Sequence, residues 1–231
     1  MDIHKPKPWH GVREFLKEYL IIVVGVLTAL GAEQLAAWVH GRGQAQEARE
    51  AVRTEIATNL GALEWRRSEG ACIDRRLKEI AAVLDAVDAG KPTRPVLWIG
   101  RPSTFPVSTF QLESAAQSGR ASLFPNAEQQ GYSHIYGPLQ TYLEAGKAEQ
   151  ISWAHLQTLV GPRRPTPEMV ANLRLALEDA EYENFRMKLT DRLASRNAQR
   201  LGIAPAVGPN LSQRLTCLPM ASAPPANVGV W

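Results

Sequence analysis

Apolar residues are concentrated in one stretch near the start of the chain. From Tyr19 to Ala32 every residue is apolar, glycine or threonine, and after a polar interruption at 33–34 the pattern resumes as far as Val39. The whole stretch has about the 20 residues that a membrane-spanning helix needs. It predicts a transmembrane helix over residues 19–40.

The residues before this stretch have an amphipathic pattern. One helical face is apolar, and charged side chains occupy the other positions. Aromatic residues lie on both sides of the predicted span, as they do at the two headgroup regions of a bilayer. We therefore expect residues 1–18 to form an amphipathic segment at the membrane interface. The apolar face consists of Trp9, Val12, Phe15, Leu16 and Tyr19, and Trp38 marks the far end of the span.

Two other interpretations of the apolar stretch remain open. A cleaved signal peptide would use the small residues of Ala29-Leu30-Gly31 as its cleavage site. Against it, the segment before the stretch is long and contains Asp2, Glu14 and Glu18, and the apolar pattern continues beyond that site. The other interpretation is a buried core helix of a soluble protein, which the polar pair at 33–34 would suit.

Small residues recur along one face of the predicted span. Gly25, Ala29, Ala32 and Ala36 follow one another at spacings of four, three and four. Such a face lets two helix backbones approach closely in lipid, so we expect it to pack against another helix. Glu33 borders this face, and it either joins that packing or extends toward the headgroups. A proton-carrying role is disfavoured because no second charged residue accompanies it between residues 19 and 39.

The next part of the chain predicts a long helix. Gly41 and Gly43 predict a weak point after the span, and a helical pattern then runs from residue 44 to residue 89, where Gly90-Lys91-Pro92 provides a stop. It contains two apolar stripes, of which the second has coiled-coil spacing. That stripe is either the buried face of a helix in a bundle or an intermolecular seam. The stripes are Ala48, Val52, Ile56, Leu60 and Leu63, and Ile73, Leu77, Ile80, Leu84 and Val87.

Shorter helices are predicted after a proline-rich loop. Residues 91–108 contain four prolines, and a short helix is expected over 110–117. A third helical region starts near Pro125. Gly137-Pro138 is expected to kink or break it, because proline removes a backbone donor. A further helical piece is predicted over 148–160.

The last predicted helix has the clearest start. Thr166-Pro167-Glu168 supplies a cap, a proline at the first helical position and an early acid, and Gly202 ends the helix. Residues 203–231 are rich in Pro, Ala, Ser and Gly and predict an irregular tail. The expected fold is therefore all-α: an N-terminal transmembrane helix, then three or four antiparallel helices over 41–202 with a long first helix. The last helix would bury Val170, Leu173, Leu177, Phe185, Leu189 and Leu193.

The state of the two cysteines depends on the compartment in which the domain lies. Cys72 lies in the long helix and Cys217 in the tail, and neither belongs to a CxxC pattern. In a reducing cytosol they would be inert free thiols. In an oxidising compartment they would form one disulfide, which would pin a tail that has little apolar content of its own.

Composition and motifs exclude several classes of function. The net charge is only +3, from 26 basic and 23 acidic residues, and no basic stripe occurs, so we expect no nucleic-acid partner. The sequence has no HExxH, no glycine-rich phosphate loop and no GxSxG. We therefore expect no catalytic residue, no metal and no cofactor. The acidic cluster Glu178, Asp179, Glu181 and Glu183 lacks the loop pattern of a calcium site.

One stretch carries a resemblance. From Pro8 to Gln34 the chain reads PWHGVREFLKEYLIIVVGVLTALGAEQ, a W-x-x-x-REF lead into an apolar helix that ends in ALGAEQ. It resembles the opening of uncharacterised proteobacterial single-span membrane proteins. The CIDRRL segment at Cys72 and Ser118-Gly119 are similar as well. The likeness covers the first half of the chain well and the rest loosely. Because the group has no established activity, the resemblance implies an architecture and not a function.

These patterns favour a non-enzymatic accessory or assembly subunit that is anchored in the bacterial inner membrane. Its partners would be the lipid bilayer and either further copies of itself or a larger membrane complex. The alternative is a periplasmic ligand-binding or sensor module, with Tyr132, Tyr136, Tyr142 and Trp153 lining a pocket. Basic residues slightly favour a cytoplasmic N-terminus and a periplasmic domain. They are Lys5, Lys7, Arg13 and Lys17 before the span, against Arg42, Arg49 and Arg53 after it.

Overall fold

The computed structural model describes residues 11–103, 105–161, 165–208 and 215–222. Trp9 and the first ten residues of the predicted interfacial segment lie outside these ranges, as do tail residues 209–214 and 223–231. The described residues are all-α, as expected. The four α-helices are α1 (Val12–Asp88), α2 (Phe110–Gln117), α3 (Asn126–Leu156) and α4 (Pro167–Arg200), with short 3-10 turns at Arg120–Leu123, Gln157–Leu159 and Leu215–Cys217.

The chain divides into two compact units, Met1–Glu47 and Ala48–Trp231, and α1 contributes to both. The weak point predicted at Gly41 and Gly43 does not interrupt the helix, so the predicted span and the helix predicted from residue 44 form the single helix α1. A glycine inside a helix costs only about 1 kcal/mol relative to alanine, which the helix on either side offsets.

In the second unit, α3 runs parallel to α1 and α4 runs antiparallel to both. Arg49 near the start of this unit pairs with Glu128 at the start of α3. At the other end of α1, Asp88 accepts a hydrogen bond from Arg174 near the start of α4, with Nε and Oδ2 3.0 Å apart. The expectation of purely antiparallel helices is therefore wrong.

The proline-rich loop explains the parallel pair, because it carries the chain back along α1. The backbone N–H of Ser103 donates to Glu69 (3.3 Å), and further back Ser108 exchanges two hydrogen bonds with the side chain of Asn59 (2.7 and 2.9 Å). Glu55 then accepts the N–H of Gln111 in the first turn of α2. The next long helix consequently starts near the same end of the unit as α1.

The core is formed where α1, α3 and α4 meet. Both apolar stripes predicted for α1 face inward, and from Val52 to Leu84 their members are all buried. The second stripe belongs to one cluster with side chains of the other two helices, so it is not an intermolecular seam. That cluster includes Ile73, Leu77, Ile80, Leu84, Val96, Ile99, Trp153, Leu156, Leu159, Val170, Leu173 and Leu177.

Two predicted helix ends are confirmed: the start of α4 and the end of α1. Thr166 caps α4 by accepting the N–H of Met169 at 3.3 Å, and Pro167 is the first helical residue. At the end of α1, Gly90 has φ +67° and Lys91 N–H donates to Ala86 carbonyl at 2.9 Å, which is a Schellman motif.

The break expected at Gly137-Pro138 does not occur, and α3 is one helix of 31 residues. Proline removes the N–H that would bond to the carbonyl of His134. Asn197 of α4 donates its side-chain amide to that carbonyl instead, at 2.9 Å. The neighbouring helix thus replaces the hydrogen bond that the proline removes.

The stripe predicted for α4 is right only in its first half. Val170, Leu173 and Leu177 are buried, whereas Phe185, Leu189 and Leu193 are 57%, 43% and 41% exposed. From Ala180 onward, α4 turns mostly small or polar residues inward, together with Met187. They are Ala180, Glu183, Asn184, Thr190, Asp191, Ala194 and Ala198.

Candidate functional site

The first candidate site is the apolar part of α1. Between residues 19 and 39, eleven large apolar side chains are each at least 50% exposed. An 18-residue window of α1 has a mean hydropathy of 2.0 with no residue buried, and α1 is the one described helix long and apolar enough to cross a membrane. This exposure does not fit the buried-core alternative, because burying one such side chain stabilises a soluble protein by about 1.5–3 kcal/mol.

The small-residue face of α1 lies within this segment. Gly25, Ala29, Ala32, Glu33 and Ala36 are all exposed, and a Cβ added at Gly25 would meet no atom within 4 Å. Among the residues that the structure describes, this face has no helix packed on it. Its role in helix packing stays a prediction.

The second candidate site is the attachment of the C-terminal tail to α1. The predicted cysteine pair, Cys72 and Cys217, forms a disulfide with Cα atoms 4.9 Å apart. Beside it, the hydroxyl of Thr216 donates to the carboxylate of Glu69, and both residues are fully buried. The tail is therefore joined to the helix by one covalent bond and by a buried hydrogen bond.

Backbone groups of the tail extend this attachment. The guanidinium of Arg75 donates to the carbonyl of Cys217 (3.1 Å), and that of Arg76 donates to the carbonyl of Leu218. Arg76 is itself fully buried, and its burial lowers the pKa of the guanidinium against the opposing effect of nearby Glu79. The carbonyl of Leu218 in the tail thus accepts one of the hydrogen bonds that the buried guanidinium of Arg76 can donate.

The tail also crosses α1 at Gly61, about three helical turns before Cys72. The N–H of Ala206 donates to the carbonyl of Ala57 at 2.8 Å. A Cβ at Gly61 would lie 2.5 Å from the carbonyl oxygen of Ala206, and one at Gly208 would lie 2.8 Å from the carbonyl oxygen of Gly61. Only glycine allows the two backbones to approach this closely.

A polar network connects the three long helices inside the unit. Arg66 of α1 donates to Glu149 of α3 at 2.5 Å and to the side-chain oxygen of Asn184 of α4 at 3.3 Å. Asn184 donates to Asp74 at 2.9 Å, and Lys188 pairs with the same carboxylate at 2.5 Å. Arg66, Glu149 and Asn184 are buried. Such a network fixes which residues of the helices face one another.

Burial raises the pKa values of two carboxylates in this region. It raises the pKa of Glu149, and the charge of Arg66 opposes the shift. It also raises the pKa of Asp191, which pairs with Arg67 at 2.9 Å. One oxygen of Glu149 accepts no hydrogen bond from the described residues. Burial therefore disfavours the ionised form of both carboxylates, and the neighbouring arginines favour it.

The aromatic residues proposed as a pocket lining are part of the core. Tyr132, Tyr136, Tyr142 and Trp153 are at most 5% exposed. Tyr136 donates its hydroxyl to Glu55 at 2.7 Å. A cavity of about 220 Å³ does touch Tyr142. A larger, open groove of about 580 Å³ lies between α3 and α4 and is lined by His155, Thr158, Met169, Asn172, Leu173, Leu175, Ala176 and Asp179.

The described part of the chain holds no group of three or more His, Cys, Asp or Glu side chains placed to bind a metal ion. His134 and His155 are exposed. In the acidic cluster of α4, Glu183 is buried and pairs with Arg186 at 2.9 Å, and its three other members point to solvent.

No protein-family model matches the sequence, and comparisons with curated proteins and with solved structures find no match. The resemblance to single-span proteobacterial proteins therefore stays a prediction.

Sequence reasoning did not find the polar network or the crossing at Gly61. A signal for the network was present, because Asn184 and Asp191 lie seven residues apart and so share one helical face. For Gly61 the sequence offers only a glycine inside an otherwise helical pattern.

Proposed function

We propose that the chain is a membrane-anchored, non-enzymatic accessory or assembly subunit. The observation that carries the proposal is the run of exposed apolar side chains between residues 19 and 39 of α1. Lipid is the environment in which such a helix surface is stable, and its length is that of a bilayer span. In the described residues of the second unit we find surfaces and a tail fixed to α1, and these favour binding over catalysis.

The proposed compartment is the periplasm, with the N-terminus in the cytoplasm. The Cys72–Cys217 disulfide is compatible with an oxidising compartment. Basic residues before the span support this orientation weakly. The bacterial inner membrane is the bilayer that adjoins both compartments.

Membrane extraction tests the anchor. The full chain should stay in the membrane pellet through a sodium carbonate wash. Replacing both Val24 and Leu27 with Arg should move it to the soluble fraction, since each Arg at the centre of a span costs about 2.5–3.5 kcal/mol. Ile151→Arg is the matched control, because Ile151 is 61% exposed on α3 and Leu27 is 63% exposed on α1. A wild-type chain that is washed off the membrane would contradict the proposal.

Intact mass spectrometry separates the anchor from a signal peptide. An anchored chain keeps its first thirty or so residues, whereas a cleaved signal peptide is lost. Trapping free thiols in intact cells with a maleimide then tests the compartment. A periplasmic domain leaves Cys72 and Cys217 unlabelled until reductant is added; labelling without reductant would contradict the placement.

A ligand-binding module is the second candidate function. The open groove of about 580 Å³ between α3 and α4 favours it. Its support is weaker than that of the first candidate, because the aromatic residues expected to line a pocket are packed in the core. A thermal-shift screen of periplasmic metabolites, repeated with Asn172→Trp to fill the groove, tests it: stabilisation of the wild type that the variant loses would support binding there.

A further inference from the structure

A cavity of about 220 Å³ lies where the proline-rich loop meets α3 and α4. It shares no lining residue with the open groove between α3 and α4. An apolar cavity of about 150 Å³ is large enough to bind benzene, so this one has room for a six-membered ring with a small substituent. Its lining includes Phe105 of the loop, Tyr142, Leu143, Lys147 and Gln150 of α3, and Met187 of α4.

The walls of this cavity are held by contacts made outside it. Gln150 donates its side-chain amide to the carbonyl of Pro102 at 3.1 Å, which ties the loop to α3. Phe105 packs edge-on against Trp65 of α1, with ring centroids 4.8 Å apart. Met187 is buried. A preformed, mostly apolar concavity of this kind is typical of a site for a small molecule.

Tyr142 supplies a hydrogen-bond donor that lacks an acceptor. This residue is 5% exposed, and its hydroxyl has no hydrogen-bond partner among the described residues. A buried hydroxyl is ordinarily paired, because leaving it unpaired is costly. Burial also raises the pKa of Tyr142, so the hydroxyl stays protonated and is able to donate. The cavity therefore has a place for an acceptor atom of a ligand.

Lys147 supplies a positive charge at the same cavity. It is exposed, and no carboxylate of the described residues pairs with its ammonium group. The flexible four-carbon stem of a lysine lets the ammonium approach a charge in the cavity. A cation and a free donor on a mostly apolar cavity together favour a small apolar body that carries one anionic oxygen group.

We propose that this cavity binds a small aromatic carboxylate. The ring packs among Phe105, Leu143 and Met187, where an aromatic neighbour favours an aromatic ligand. The carboxylate accepts the hydrogen bond of the Tyr142 hydroxyl, and Lys147 offsets its charge. The site goes beyond the proposed function and does not depend on it, because every lining residue belongs to the second unit and none to the apolar segment of α1.

Fluorine NMR on the full chain in mild detergent tests the site, with para-fluorobenzoate as the probe and empty micelles as the blank. We expect saturable binding with a dissociation constant of about 0.1–1 mM. The uncharged para-fluorobenzamide has nearly the same shape and should bind roughly tenfold more weakly. Absence of saturable binding of para-fluorobenzoate would overturn the proposal, as would equal affinity for the two probes.

Tyr142→Phe removes only the hydroxyl and should weaken the binding of para-fluorobenzoate roughly tenfold. The variant should fold as the wild type does, because the hydroxyl has no partner among the described residues. Tyr182→Phe is the matched control, since it makes the same change at a tyrosine that is 59% exposed on α4. Unchanged affinity in Tyr142→Phe would refute the proposed hydrogen bond and with it the site.

Lys147→Met separates the charge from the shape of the site. It should weaken binding of para-fluorobenzoate and leave that of para-fluorobenzamide unchanged, a difference that a merely structural lysine would not produce. Lys147→Arg should restore the difference, and Lys78→Met, at an exposed site on α1, is the control. Equal losses for both probes in Lys147→Met would contradict the role of the charge.

Leu143→Trp fills the cavity and should abolish binding of both probes, while its urea-unfolding midpoint shows that the variant is folded. A folded Leu143→Trp chain that binds para-fluorobenzoate as tightly as the wild type would place the probe elsewhere and refute the site. The outcome leaves the anchor untouched, because none of these substitutions alters the apolar segment of α1.

Discussion

The side-chain amide of Asn197 donates to the carbonyl oxygen of His134 across the contact between α4 and α3, at 2.9 Å. This carbonyl is the one that Pro138, four residues later, cannot serve. A tertiary contact thus takes the place of a local one, and α3 continues where its own sequence favours a break.

Removing the Asn197 amide tests this compensation. Asn197→Ala should destabilise the full chain by about 1 kcal/mol, the net value of one hydrogen bond. In a Pro138→Ala background the N–H of the new residue bonds to His134, so the same substitution should cost close to nothing. Urea unfolding in mild detergent measures all four chains. Equal costs in the two backgrounds would show that the bond does not compensate for the proline.

The Cys72–Cys217 disulfide should stabilise the second unit strongly. It closes a loop with a sequence separation of 145 residues, for which the chain-entropy model gives about 5 kcal/mol as a ceiling. Reductant should therefore lower the unfolding midpoint of the wild type. A chain with Cys72→Ser and Cys217→Ser should unfold at that lower midpoint with or without reductant. A wild type whose unfolding midpoint does not change when reductant is added would contradict the prediction.

Local signals predicted the helix ends well. The caps at Thr166-Pro167 and Gly90-Lys91, and the bounds of the short helix α2, depend on residues close in sequence, so the sequence alone identifies them. The partners of the disulfide were also predictable, because two cysteines allow only one intramolecular pairing, whereas its formation depends on the compartment.

Properties set by distant residues were not predictable. Phe185, Leu189 and Leu193 were expected inside because apolar spacing shows which residues share a face but not which face is buried. Asn184 faces inward instead, because Arg66 and Asp74 supply hydrogen bonds to it from α1. The direction of α3 likewise depends on the path of the loop along α1.

The buried carboxylates predict an unusual dependence of stability on pH. Burial raises the pKa of Glu149 above its ordinary value of 4.5, so the folded state binds this proton more readily than the unfolded state. The stability it contributes is therefore fully present below about pH 4.5 and is lost as the pH rises through the raised pKa. Burial also raises the pKa of Asp191, so its contribution to stability changes with pH in the same direction.

Glu149→Gln isolates this effect, because glutamine does not titrate. From pH 5 to pH 7 the free energy of unfolding of the wild type should fall relative to that of the variant. Urea unfolding at half-unit pH steps measures the difference. Glu64→Gln, which removes an exposed carboxylate from α1, should leave the slope unchanged; a wild-type stability that rises relative to Glu149→Gln would contradict the raised pKa.

Two glycines of α1 should respond to alanine with opposite signs. In a helix interior alanine is favoured over glycine by about 1 kcal/mol, so Gly70→Ala should stabilise the chain, since its new Cβ meets no atom within 4 Å. Gly61→Ala should destabilise it despite the same propensity gain, because its Cβ would lie 2.5 Å from the carbonyl oxygen of Ala206 and displace the tail. Urea unfolding of the wild type and both variants measures whether each substitution raises or lowers the free energy of unfolding. Faster proteolysis near residue 206 in Gly61→Ala alone would locate the damage at the crossing, whereas stabilisation by both substitutions would show that the tail does not cross α1 there.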